Sequence, residues 1–409
     1  MNTKPRTALI IGGGLTGPAA GMALRKAGLE ATVYEAYDTP ADNLGGGFTI
    51  ATNGLDALAA LEALDAIAGL GLPAPAIAMY NGRGRLLGTV QTGLPGPGGP
   101  DSTSFKRRDM FRVMREEAER RGVRTVFGKR LTGLTENADS ITARFADGTE
   151  AAADILIGAD GIHSTVRRII DPGAPAPRYT GLLPFGGFAP NPGLAPEPGV
   201  WKFAFGRRAF MGWFVPDAEQ VWWFIAVPSA TPLSRRQILD EGVAAWAERL
   251  IALFEGEDVP AAEIVRTQGD GVIVVGAEHD LPNVPVWHRG RAVIIGDAAH
   301  AASTSSGQGG SMALEDAVTL GRCLRDCPDH VSAFTMLHEL RRDRVGKVIA
   351  LGAKTASSKA AGPLAARLRD LFMTVGFRYF YKPESSAWLL RHHIDWDEPV
   401  LGTPAKTAV

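Results

Sequence analysis

Cysteine is nearly absent from this chain. Its 409 residues hold two, Cys323 and Cys327, four apart on one helix-like stretch. Two thiols exclude a disulfide framework and a cysteine-rich metal site. The eight histidines show no ligand spacing, so no metal ion is expected. No apolar run reaches the ~18 residues of a membrane span, so none is expected. An excess of one charge is also lacking. The net charge of −1 gives no electrostatic reason for a nucleic acid or an anionic membrane as partner. Gly-x-Ser-x-Gly is missing, which removes hydrolases built on a nucleophile elbow. The first residues run straight into an apolar segment, so no signal peptide is expected and the cytoplasm is the expected location. A hydrophobic content of 45% with 21% charge describes a soluble globular protein of two or three intimately packed domains.

The first 35 residues carry the clearest pattern. Thr7 to Ile11 is a strand-like run, followed by Gly12-Gly13-Gly14-Leu15-Thr16-Gly17 and a helix-like segment ending at Gly28. Ala31 to Tyr34 is a second strand-like run, and Glu35 closes it, 18 residues after Gly17. This is the strand, Gly-x-Gly-x-x-Gly, helix, strand, acid order of a dinucleotide fingerprint. Gly12 serves the tight turn, Gly14 the approach of a pyrophosphate, and Gly17 the packing of helix on strand. The helix start then offers free N–H groups to the phosphates. The pattern does not separate FAD from NAD.

Further along, Asn43 to Phe48 is a glycine-dense turn, which reads equally as a flexible loop or as backbone brought close to a flat ligand. The spacing of Leu55, Leu58, Leu61, Leu64 and Ile67 predicts one helix over 55–70. Ile77 to Val90 reads as two strands about Asn81-Gly82. Pro95 to Pro100 is a loop, and Asp109 to Arg121 a helix with Asp109 near its cap. Val123–Phe127, Leu131–Glu136 and Ile141–Phe145 are strand-like, with a hairpin turn at Asp147-Gly148. Asp154 to Arg167 is a buried strand entering a helix through Gly158-Ala159-Asp160-Gly161, with Asp160 where ligands sit in such sheets and His163 as a non-catalytic neighbour. From Val200 to Pro228 aromatic residues concentrate, and the alternation Trp201-x-Phe203-x-Phe205 makes one strand face aromatic. Such a face serves as core or as a dry wall for a planar ligand. Arg291 to His300 repeats the strand, Gly296, Asp297 pattern and leads through serines to Gly307-Gln308-Gly309-Gly310 and a helix. After Pro328 the chain reads as helical to about Tyr381, with Arg341, Arg342 and Arg344 on a solvated face. The tail from Lys382 carries no assigned chemistry.

The three glycine-acid motifs, in this order over residues 5–345, resemble the class A flavoprotein monooxygenases, the para-hydroxybenzoate hydroxylase family. The resemblance implies an α/β fold: a Rossmann-like FAD-binding domain of the GR2 type with an inserted, mainly antiparallel β-sheet substrate domain and C-terminal helices. The expected FAD-binding parts are 1–75, 105–175 and 276–345; the substrate parts are 76–104 and 176–275; a helical segment spans 346–409. It also implies one tightly bound FAD, NADPH or NADH as co-substrate, O2 activated as the flavin C4a-hydroperoxide, and oxygenation, foremost hydroxylation, of an apolar, aromatic small molecule. By position, Gly12, Gly14, Leu15, Thr16, Gly17 and Glu35 would hold the adenosine and pyrophosphate. Leu131 would touch adenine, Asp297 after Gly296 the ribityl or pyrophosphate, and Gly307 to Gly310 would lie beside the isoalloxazine ring. Arg107 fits the family arginine of an Arg-x-Asp-Leu-like pattern, and Gly47 joins the cofactor-binding residues. Asp160 lies in the motif linked to both FAD and nicotinamide. Thr304 stands where the family often has proline, so that loop is expected to be more mobile.

No catalytic side chain is singled out, because oxygen transfer in this family belongs to the flavin. Arg207, Arg208, Tyr80 and Tyr179 are candidates for facing a phenolic substrate. The alternatives are a geranylgeranyl-reductase-like flavoprotein reductase, an epoxidase, and a non-enzymatic flavin-binding module. A halogenase is disfavoured, because only Trp213-Phe214-Val215-Pro216 resembles its motif and no lysine lies between Lys26 and Lys106.

Overall fold

Thr7–Ile11 lies inside a six-stranded sheet. Ile155–Gly158 and Glu30–Tyr34 flank it in parallel, Ala292–Ile294 and Arg124–Val126 extend the sheet in parallel, and His288–Arg289 ends it antiparallel. The run is apolar throughout because both faces are covered. Ala8 and Ile10 face helices Thr16–Lys26 and Gly309–Asp326, while Leu9 and Ile11 face Ile141, Phe145 and Ala153. Those last residues belong to a three-stranded antiparallel sheet, Leu131–Glu136, Ile141–Phe145 and Glu150–Ala153. This computed structural model describes residues 4–40, 45–96, 99–359 and 363–401. Asn43-Leu44 of the glycine-dense turn, Pro97-Gly98 of the following loop and the last eight residues lie outside the described residues.

A second sheet has seven strands in the order Ile273–Val274, Leu182–Pro190, Gln220–Pro228, Phe210–Phe214, Val200–Phe205, Ala76–Asn81, Leu86–Gln91. Every pairing is antiparallel except that of Val200–Phe205 with Ala76–Asn81. Alternation divides its side chains. Phe185, Trp213, Trp223 and Ile225 pack under helices Arg235–Glu241, Val243–Leu253 and Ala261–Gln268. Trp201, Phe203, Phe205, Phe214 and Trp222 occupy the opposite face, as the spacing of the first three requires. A small sheet of Gly47–Ile50, Thr103–Lys106 and Leu72–Pro73 stands against that aromatic face.

Several local expectations are corrected. The helix expected over 55–70 is two, Thr52–Ala60 and Leu64–Ile67, broken at Glu62 in the left-handed region at φ +58°. That conformation costs about 1–2 kcal/mol. Around it, Glu62 bonds Lys26 at 2.6 Å and the Glu62 carbonyl takes Arg121 at 2.8 Å. The 76–91 hairpin turns about Asn81-Gly82 as expected: the Gly84 N–H donates to the Asn81 carbonyl at 3.0 Å with Gly84 at φ +68°, and Asn81 Oδ1 accepts the N–H groups of Arg83 and Arg85. The helix expected from Asp109 begins at Arg107 and has no side-chain cap, so Asp109 is a first-turn acid. Residues 330–379 form two helices, His330–Lys359 and Pro363–Tyr379.

Candidate functional site

The fingerprint folds as its glycines dictate. Gly12 has φ +109°, and a Cβ there would lie 2.3 Å from the Ala159 carbonyl oxygen. A Cβ on Gly17 would lie 2.0 Å from the Gly12 oxygen, so helix and turn meet only with hydrogen there. The helix Thr16–Lys26 starts at Leu15 without a side-chain cap, so its first N–H groups can take an anion. Glu35 accepts the Gly13 N–H at 2.6 Å and the Tyr37 N–H at 3.0 Å. Each carboxylate oxygen retains capacity for a hydroxyl donor. Leu131 is buried beneath this corner, where the nearby Lys129 N–H donates to the Glu35 carbonyl at 2.7 Å.

The other motifs converge here. A Cβ on Gly296 (φ +59°) would lie 2.8 Å from Thr16 Oγ1, and one on Gly309 would lie 3.9 Å from Asp297 Oδ1. Gly310 sits against Phe48 and Leu15, and Gly45 against the Arg107 side chain. The Arg107 guanidinium lies 4.8 Å over the Phe111 ring. Arg107 and Asp297 are both solvent-accessible, yet burial pushes the arginine down and the aspartic acid up, each charge partly offsetting the other. Water reaches both groups while the surrounding protein still desolvates them, which places them in a recess between the motifs. Gly307 (φ +62°) and the uncapped start of Gly309–Asp326 form another side of it. In all, the fold brings together Gly12 to Gly17, Glu35, Gly47, Arg107, Asp160, Gly296, Asp297 and Gly307 to Gly310.

Asp160 has a structural task. It accepts the Ser164 hydroxyl at 2.5 Å and the N–H groups of Thr165 and Val166 at 2.6 and 3.1 Å, which fixes the turn into helix Thr165–Ile170. Burial raises its carboxyl against those bonds. The buried Arg167 ties this turn to the next motif, giving Nη1 to the Ala298 carbonyl at 2.8 Å. His163 is exposed.

Sequence reasoning missed the framework beneath the loops. Arg341 and Arg344 are not solvated: Arg341 is 1% exposed, and only Arg342 of the three faces water. Arg341 bridges Glu315 Oε2 at 2.5 Å and Asp316 Oδ1 at 2.7 Å, and Arg344 grips both Glu315 oxygens at 2.8 Å. Asp316 Oδ2 accepts from the Gly296 N–H at 2.9 Å and meets His300 Nε2 at 2.5 Å. The Asn53 amide joins Glu315 (2.7 Å) to Gln308 (3.1 Å). Burial alone would raise both acids; the surrounding cations and hydrogen bonds hold each at about 2. The only signal in the sequence was the Glu315-Asp316 pair on a helix otherwise apolar toward the core. Thr304 also differs from expectation. Its N–H, which a proline would lack, donates to the buried Glu278 at 2.9 Å, and the Ser303 hydroxyl donates at 2.7 Å. The loop is clamped.

The aromatic face reaches this recess. A Cβ on Gly47 would lie 3.0 Å from Trp222 and 3.6 Å from Phe188, and Lys106 Nζ lies 5.1 Å from the Phe188 ring. Trp201 donates to Ser104 at 2.9 Å. The earlier substrate-facing candidates are elsewhere. Arg207 and Arg208 bind Glu257 and carbonyls at 253–256 on the helical side, Tyr80 packs near Trp213 on that side, and Tyr179 donates to the Ser229 carbonyl. Burial pushes the Cys323 and Cys327 thiols up, which keeps them inert.

Fold and site define a dinucleotide-binding oxidoreductase. The family model described as "FAD binding domain" matches residues 6–184 and 282–327, omitting most of the aromatic sheet and its helices. The FAD-dependent urate hydroxylase of Klebsiella pneumoniae is 30% identical over 352 residues, 84% of this chain and 87% of that protein. The aurachin C monooxygenase/isomerase of Stigmatella aurantiaca is 29% identical over 84% of this chain and 87% of its own. The crystal structure of Klebsiella pneumoniae HpxO with FAD and uric acid matches with TM-score 0.78 at 26% identity, covering 91% of this chain and 94% of that one. The chain belongs to the class A FAD-dependent aromatic monooxygenases.

Proposed function

We propose that this enzyme hydroxylates a planar, apolar aromatic or heteroaromatic small molecule at the expense of NADPH or NADH and O2, in the cytoplasm. The carrying observation is that the Phe188–Trp222 wall abuts Gly47 beside the recess of Arg107 and Asp297. The residues fit FAD: a turn that closes only with glycine at positions 12 and 17, helix starts without side-chain caps, and a desolvated arginine and aspartic acid. When bound, FAD takes up hydride equivalents and activates oxygen. Glu35 would hold the ribose, the start of Thr16–Lys26 the pyrophosphate, and Asp297 the ribityl chain. Arg107 and Gly307 to Gly310 would frame the isoalloxazine ring, with the start of Gly309–Asp326 offering N–H groups to its negative charge. Asp160 would act through the turn it caps, and Leu131 would back the adenine. The aromatic wall excludes water and orients the substrate ring.

The test is anaerobic reduction of the bound flavin by NADPH and NADH, with and without a panel of aromatic and heteroaromatic compounds. Reduction accelerated by one of them, with oxygenated product in air, is the expected result. Fast reduction regardless of additive, with no oxygenated product, would favour a reductase. A protein that takes up no FAD would overturn the reading.

A further inference from the structure

The helix Pro363–Tyr379 presents apolar side chains in two directions. Inward, Met373 joins the cluster of Phe205 and Phe210, Phe377 covers Gly88, and Arg369 stacks on Phe205 at 4.6 Å. Outward, Leu368, Leu371, Phe372, Val375 and Tyr379 are 50, 58, 72, 39 and 67% exposed, and Phe380 just beyond is 77% exposed. The five helical positions fall within an arc of about 100° at the α-helical pitch, so they form one stripe. Single exposed apolar residues are ordinary; a continuous stripe of this size marks an interaction surface.

Charge decides what it meets. From Lys347 to Arg391 the chain carries eight Lys and Arg against two acids, a local +6 in a protein whose total is −1. The near-zero sum conceals this separation. Arg378 lies beside the stripe, 5.4 Å from the Tyr379 ring, and Lys382 follows it in the chain. A second copy of the chain on this face would bring two like-charged surfaces together. An apolar stripe edged with cations and ending in aromatic rings suits the headgroup boundary of a bilayer. We propose that Pro363–Tyr379, with Phe380, docks in the plane of an anionic lipid surface.

The test uses the full chain with FAD, sedimented with vesicles of phosphatidylcholine containing a quarter phosphatidylglycerol, and with vesicles of phosphatidylcholine alone. Wild type is expected to co-sediment with the anionic vesicles and several-fold less with the neutral ones. Phe372→Ser/Phe380→Ser should lose at least about tenfold in lipid affinity while keeping its flavin spectrum. No sedimentation with anionic vesicles, or equal sedimentation of the variant, would overturn the proposal. So would light scattering that shows a dimer which the variant dissociates. Sedimentation is read independently of turnover, so a failure of the monooxygenase reading leaves this result standing.

Discussion

Arg341→Met tests the buried framework. The substitution keeps most of the side-chain volume and removes the guanidinium that faces Glu315 and Asp316 together. Both acids are fully buried, and each keeps one partner, Arg344 for Glu315 and the His300 ring for Asp316. Breaking one member of such a set costs about 3–5 kcal/mol, because the charges left behind are desolvated without compensation. With an unfolding entropy of ~2.1 cal/mol/K per residue over 409 residues, that lowers Tm by about 3.5–6 °C. The pH dependence carries the sharper signature. In the native protein the two carboxyls sit at about 2, below their ordinary 4.5 and 3.8. Depressed carboxyls stabilise the fold fully above their unfolded values, and that stabilisation is lost as pH falls through about 4.5 toward 2. The variant has little of it to lose. The difference in Tm should therefore be full near neutrality and shrink below about pH 4. The measurement is thermal unfolding by circular dichroism at several pH values, with Arg341→Lys expected between the two. A neutral-pH Tm within a degree of wild type, or a difference at about pH 3 as large as at neutrality, would refute the reasoning.

Glu35→Ala should weaken FAD binding about 10- to 100-fold by removing charged acceptors for the ribose, read by titrating the apoprotein with FAD; an unchanged Kd would free Glu35 of that role. Gly17→Ala forces its Cβ onto the Gly12 oxygen 2.0 Å away and should yield protein without flavin, whereas a yellow, active variant would contradict the packing described. Thr304→Pro removes the N–H that Glu278 accepts and should speed amide exchange across 303–307; an unaltered exchange pattern would show that Glu278 does not clamp the loop. Trp222→Ala should raise the substrate Kd at least about tenfold while leaving the FAD Kd nearly unchanged, and equal effects on both would place Trp222 in the cofactor framework instead.

The parts legible in the sequence are those where local chemistry has one solution. A strand followed by Gly12 to Gly17 and an acid at Glu35 admits little but a dinucleotide turn, and Trp201-x-Phe203-x-Phe205 can only share one face of a strand. Arg341 and Arg344 were misread because a charged cluster on a helix is usually solvated. Their partners Glu315 and Asp316 lie on another helix, and burial of a charge depends on contacts that no local pattern encodes. Glu278 escaped notice for the same reason, since its partners Ser303 and Thr304 follow 25 and 26 positions later. The break at Glu62 is likewise invisible to a leucine period, because Lys26, at the end of one helix, and Arg121, just past the end of another, hold it.

Arg344 does more than grip Glu315. It also donates to the carbonyls of Trp388 at 2.7 Å and Leu389 at 2.8 Å. Asp56 holds His393 and the Ile394 N–H, and Asp326 the Val400 N–H. Residues 387–400 are thus strapped across the same two helices that carry Asn53 and the start of the Gln308 loop. If seating a ligand against that loop steadies these helices, reciprocity requires that a severed strap weaken the ligand's hold. Protection of residues 387–400 from proteolysis would then gauge cofactor occupancy, at a point the cofactor itself need never touch.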